Sequence, residues 1–123
     1  VERTLSVSTT TRLANALMAT TDAFLFSGRE AEVFHDIRQS VRLVRYGMDA
    51  YAYALLAAGQ LDLVIESGLK PFDVQALIPV VEGAGGVLTN WRGGPAHEGG
   101  QVIAAATREL HAAALAKLEP AAA

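Results

Sequence analysis

Cysteine is absent from the 123 residues, which excludes disulfides and thiolate metal sites. Basic charge is scarce. Ten Lys and Arg stand against thirteen Asp and Glu, for a formal net charge of -3. Nucleic-acid binders carry a basic patch, so this balance gives no electrostatic case for such a partner. No run of about 18 apolar residues occurs, so no segment reads as a membrane-spanning helix. The opening residues, Val1-Glu2-Arg3-Thr4-Leu5-Ser6, lack the charged-then-apolar pattern of a secretory signal. These absences set the expectation of a cytoplasmic protein that works with neither nucleic acid nor membrane.

What the chain does contain suits a packed core. Hydrophobic residues make up 51% of it, and its length fits one domain over residues 1–123. The Ser- and Thr-rich stretch from Thr4 to Thr11 reads as a loop with a short extended piece. Ala16 to Thr20 is a short apolar run, readable as a buried strand. Ser27 is placed to cap the helix that follows, in which Val33, Ile37 and Val41 recur at helical spacing. An extended piece over Val41 to Arg45 comes next.

Ala50 to Ala58 is apolar almost all round, which predicts a buried helix, and Gly59 stops it. Leu61 to Ile65 predicts a buried strand, with Glu66 at its end. Pro71 closes a loop, and Asp73 opens a helix to about Ala84 that Pro79 is expected to kink or loosen. Gly83, Gly85 and Gly86 release a strand over Val87 to Thr89. A turn at Trp91 to Pro95, a strand at Val102 to Ala105 and a Thr107-capped helix to about Leu118 complete the pattern. Alternating helices and strands predict an α/β fold, a layered and mostly parallel sheet flanked by helices.

Between Gly47 and Gly86 the acidic residues fall at the joints of this pattern: Asp49, Glu66 and Asp73. Loops at the carboxyl ends of parallel strands share one rim, where ligands bind. Three carboxylates near one rim repel each other unless a cation or cationic substrate sits among them. Taken singly each has an ordinary reading. Asp49 and Asp73 read as helix N-caps and Glu66 as a solvated rim charge.

The ordered series Gly47-Met48-Asp49-Ala50, Ala58-Gly59-Gln60-Leu61-Asp62, Glu66, Lys70-Pro71-Phe72-Asp73 and Glu82-Gly83-Ala84-Gly85-Gly86 resembles the C-terminal half of the inositol monophosphatase-like family of Mg2+-dependent phosphatases. It is most similar to the histidinol-phosphatase branch, which has Gly-x-Asp-x-Tyr-Ala-Tyr where this chain has Gly47, Asp49, Tyr51, Ala52 and Tyr53. Inositol-specific members have a small uncharged residue in place of Asp49, and the family has Trp where this chain has Phe72.

The resemblance implies a Mg2+ cofactor with Asp73 as metal ligand. It implies contacts to a small phosphate monoester from Gly47, Asp49 and Glu66. Asp49 would be a countercharge for the ammonium and imidazole of histidinol phosphate, and Gly47 would let the backbone approach closely. Arg45 is added as an oxyanion contact. Lys70 matches a motif position but reads equally as a loop charge, Arg42 as a surface charge and Glu82 as structural. His35, His97 and His111 have no paired metal spacing. The family's Gly-Glu-x-Glu turn and Asp-Pro-Ile/Leu-Asp-Gly-Thr loop, which carry most of its metal ligands, do not occur. The expectation is therefore a C-terminal half, inactive alone. Its partner would be the missing N-terminal half or a second copy, covering Val64, Ile65, Leu77, Ile78 and the helix from Ala50. The alternatives are an inositol-phosphate or other sugar-phosphate specificity, or a truncated interaction module without catalysis.

Overall fold

A computed structural model of the chain describes residues 5–123, so the opening Val1 to Thr4 lies outside the described residues. Five strands form one sheet: β1 (Leu17–Thr20), β2 (Leu43–Tyr46), β3 (Leu63–Leu69), β4 (Val87–Asn90) and β5 (Gly100–Ala105). Four helices connect or follow them: α1 (Arg29–Ser40), α2 (Tyr51–Ala57), α3 (Pro71–Gly83) and α4 (Arg108–Leu118). The strand order is β2-β1-β3-β5-β4. β1 pairs in parallel with β2 and β3, while β5 runs antiparallel between β3 and β4. Four strands therefore point one way and β5 alone is reversed. The sheet is helix-flanked, as the alternating pattern predicted, and β5, reversed by the β4–β5 connection, makes it mixed where a mostly parallel sheet was expected.

Side-chain alternation along the strands divides the core into two layers. Leu63, Ile65, Ile103 and Ala105 face α1 and α4, whose Phe34, Ile37, Leu110 and Leu118 are buried against them. Val64, Val102 and Ala104 face α2 and α3, meeting Ala52, Leu56, Val74 and Val81. Each large apolar side chain so buried contributes about 1.5–3 kcal/mol. Trp91 is fully buried in the first layer, and its Nε1–H donates to the Val102 carbonyl at 3.1 Å. Phe26 stacks on Phe34, with ring centroids 4.5 Å apart.

Several local expectations change. Ser27 does not cap α1 through its side chain; the cap residue is Gly28, and the Ser27 carbonyl accepts from Glu30 and Ala31 N–H. α3 runs through Pro79 to Gly83, close to the expected end at about Ala84, but starts at Pro71 and not at Asp73. Thr107 does cap α4, accepting from Leu110 N–H at 3.2 Å.

The expected wet apolar surface is also redistributed. Val64 and Ile65 are fully buried by the chain's own helices, and Leu77 and Ile78 are half-buried. One face of α2 packs inward through Ala52, Tyr53, Leu56 and Ala57. The most exposed large apolar residues are Phe24 at 93%, Phe72 at 73% and Tyr51 at 64%, and all three adjoin the site described below in sequence.

Candidate active site

β1 leads through α1 on one face of the sheet to β2, whereas β3 leads through α3 on the other face to β4. The chain thus departs in opposite directions from two adjacent strands. Such a switch point opens a crevice at the strands' carboxyl ends. A cavity of about 350 Å3 lies there, and Thr21, Asp49, Tyr53, Glu66, Ser67 and Asp73 supply its polar lining. Leu25, Leu69 and Leu77 supply apolar wall. Among the described residues, three carboxylates and no Lys, Arg or His line it.

Glu66 lies inside β3 rather than at its end, opposite Val102 and just before an irregularity in the ladder. It is 2% exposed, not a solvated rim charge. The Thr21 hydroxyl donates to Oε1 at 3.1 Å and the Thr21 N–H to Oε2 at 3.3 Å. The Thr20 hydroxyl reaches Oε2 at 3.5 Å. Burial pushes the Glu66 carboxyl above its ordinary range, the Thr21 donors pull it back, and the charge of Asp49 raises it further. Ser67, next in the strand, donates to Glu30 Oε2 at 2.7 Å and so ties the cavity floor to α1.

Asp49 is exposed and is the only non-glycine residue with positive φ among the described residues, at 49°. Asp tolerates this left-handed region better than most residues, at some cost in strain. Its side chain makes no cap to α2; only its carbonyl is used, accepting from Ala52 N–H at 3.2 Å. The N-cap role open to it in the sequence is therefore not taken. The carboxylate is left to face the cavity.

Asp73, the expected helix start, occupies the third position of α3, because the helix already begins at Pro71. Its Oδ2 accepts from Lys70 N–H at 3.3 Å. Among the described residues no other donor reaches this exposed carboxylate. An oxygen-only donor set suits a hard cation such as Mg2+. Among the described residues, however, no three His, Asp or Glu side chains come close enough to enclose an ion. The described residues of the cavity supply separate carboxylates, not a metal cage.

The other expected contacts stand apart. Arg45 is exposed on the edge strand β2, and neither it nor Gly47 lines the cavity. Gly47 has φ 80°, and a Cβ there would meet nothing within 4 Å. Its positive φ is the backbone angle that favours glycine at this turn. Thr21, Ser67 and Tyr53 were not singled out from the sequence as site residues. The rule that ligands gather beyond parallel strand ends points to Thr21 once β1 is recognised.

Tyr53 is 1% exposed, and its hydroxyl has no hydrogen-bond partner among the described residues. Burial, and next the charge of Glu66, raise its pKa well above the ordinary tyrosine value, so it stays protonated.

Comparison with known proteins fits this geometry. The chain is 42% identical over 124 residues to the bifunctional phosphatase IMPL2, chloroplastic, of Arabidopsis thaliana, covering 94% of this chain and 36% of that protein. It is 30% identical over 80 residues to a histidinol-phosphatase of Chlorobaculum parvum, covering 65% of this chain and 31% of the relative. Its fold matches an inositol monophosphatase from Zymomonas mobilis with a TM-score of 0.89 and 40% identity, over 94% of this chain and 46% of that one. The chain therefore spans less than half the length of these relatives. The model of the inositol monophosphatase family matches residues 2–122, and the chain belongs to that family.

Proposed function

We propose that this chain forms the substrate-side part of the active site of a Mg2+-dependent phosphomonoesterase, with histidinol phosphate as substrate. The observation that carries this reading is the convergence of Asp49, Glu66 and Asp73 on one cavity that no basic residue lines among the described residues. Such a cavity favours cations. Asp73 is the group free to hold a metal ion, with water and oxygen donors from outside this chain completing its shell. When bound, Mg2+ polarises the phosphate and stabilises the leaving oxygen.

The protein's own groups orient the organic part. Glu66, fixed by three donors, accepts from the substrate's polar hydrogens. Asp49, whose charge is not neutralised by any neighbouring base in the cavity wall, pairs with the substrate's ammonium or imidazolium. The relatives with phosphatase names support the reaction class, and the histidinol-phosphatase among them supports the cationic substrate.

Inositol phosphate, or another sugar phosphate, is the second reading. It is favoured by the 40% identity to the Zymomonas mobilis inositol monophosphatase. A polyol hydroxyl can donate to Glu66 as an ammonium can, so Asp49 is the residue that separates the two. The deciding experiment joins this chain behind the N-terminal half of a family member. Hydrolysis of histidinol phosphate and of inositol 1-phosphate is then compared with and without Mg2+. Preference for the former supports the first reading. Preference for the latter supports the second. Absence of Mg2+-dependent hydrolysis of either would leave the chain as a non-catalytic module.

A further inference from the structure

The Tyr53 hydroxyl is an anomaly in an otherwise satisfied core. It is the one buried side-chain polar atom among the described residues that lacks a hydrogen-bond partner. Phenylalanine would fill the same space in α2 with no orphaned group, so in the free chain the oxygen only costs stability. Tyr53 is also not remote from function. Its side chain lines the same cavity as Glu66 and Asp49.

We infer that the Tyr53 hydroxyl is a ligand-binding group of this cavity, whose missing hydrogen-bond partner is a polar atom on the organic part of the bound substrate. The inference rests on reading the cavity as a substrate pocket, and it adds a specific residue and a specific ligand chemistry to that reading.

A phenol both donates and accepts. Glu66, when ionised, only accepts, and Thr20 and Thr21 already take up three of its about four lone-pair positions. A ligand atom beside both residues must therefore donate to Glu66 and either accept from or donate to Tyr53. A hydroxyl, an ammonium or an imidazole edge meets that demand; a purely apolar group does not. The raised pKa of Tyr53 keeps the proton on the oxygen for donation.

The test titrates the 123-residue chain and its Tyr53→Phe variant with histidinol, the dephosphorylated probe, followed by two-dimensional NMR of the backbone amides. Thermal melts of both proteins without ligand accompany it. One hydrogen bond corresponds to about a three- to tenfold change in Kd. The expected result is binding that weakens by that factor in Tyr53→Phe, with a ligand-free melting temperature equal to or above that of the parent. Equal affinity in the two proteins overturns the inference, as does no binding of histidinol by the parent chain. A lower melting temperature in the variant also overturns it, since it would reveal a structural partner for the hydroxyl. Loss of phosphatase activity in the joined protein would instead count against the proposed reaction, and is read separately.

Discussion

Thr21, just past β1, grips Glu66 within β3 twice, through its hydroxyl at 3.1 Å and its backbone N–H at 3.3 Å, across 45 residues of sequence. The pair closes the switch point of the sheet and fixes the only fully buried carboxylate of the cavity. The two donors do not wholly offset burial, because the carboxyl still lies above its ordinary value of 4.5. The folded state therefore holds the Glu66 proton more tightly than the unfolded chain does. As pH rises from below that ordinary value through the raised one, ionisation opposes folding and stability from this group is lost. Glu66→Gln cannot ionise. Its stability relative to the parent should rise between about pH 4 and about pH 7. Urea melts across that range check this; a parent that gains on the variant as pH rises contradicts it.

Asp62 performs a purely structural task of the same kind. Its Oδ2 accepts from Leu17 N–H at 2.8 Å, and Ser8 donates its hydroxyl to Oδ1, tying the N-terminal segment to the base of β1 and β3. The residue is 6% exposed. Asp62→Ala removes the acceptor and leaves the Leu17 amide unmatched, so it should cost about 1.5–3 kcal/mol. Chemical denaturation measures this directly. A change within about 0.5 kcal/mol, as for an ordinary surface site, would contradict the assignment.

Asp49 tests substrate charge. Asp49→Asn keeps the shape and the tolerance of left-handed backbone, and removes only the negative charge. In the chain joined to an N-terminal half, kcat/KM for histidinol phosphate should fall roughly ten- to a hundredfold, the equivalent of about 1.5–3 kcal/mol for a charge-assisted hydrogen bond. An uncharged sugar phosphate should be affected far less. Equal losses on both substrates would mean that Asp49 serves the turn and not the cation.

Much of the fold was legible in the sequence because its elements are strongly patterned. The apolar run at Leu17–Thr20, the Gly59 stop and the Thr107 cap each sit where the residues predict. The reversed β5 was not legible. Its four apolar residues, Val102 to Ala105, read the same in either direction, and direction follows from how β4 hands the chain over. Asp49 and Asp73 were found as acids at helix starts, but their exact positions relative to the caps depend on backbone angles that no spacing reveals. Glu66 was recognised as important and misplaced at a strand end. β3 continues to Leu69 past the ladder irregularity, and Ser67 and Gly68 carry no apolar signal of strand. Tyr53 was hidden among the apolar residues of α2, since periodicity counts its ring and ignores its hydroxyl.

The central claim is that Asp73 brings a metal ion to a phosphate ester held by this cavity. The most direct measurement is the Mg2+ dependence of histidinol phosphate hydrolysis by the joined protein, for the parent and for Asp73→Asn, with the 123-residue chain alone as reference. Altering groups that merely support metal ligands costs 10–100-fold in affinity or activity, so loss of a direct ligand should cost at least about that much. The account predicts negligible turnover by the chain alone, Mg2+-dependent turnover by the joined parent, and an apparent Mg2+ affinity at least about tenfold weaker in Asp73→Asn. Unchanged Mg2+ dependence in that variant, or robust turnover by the isolated chain, would contradict it.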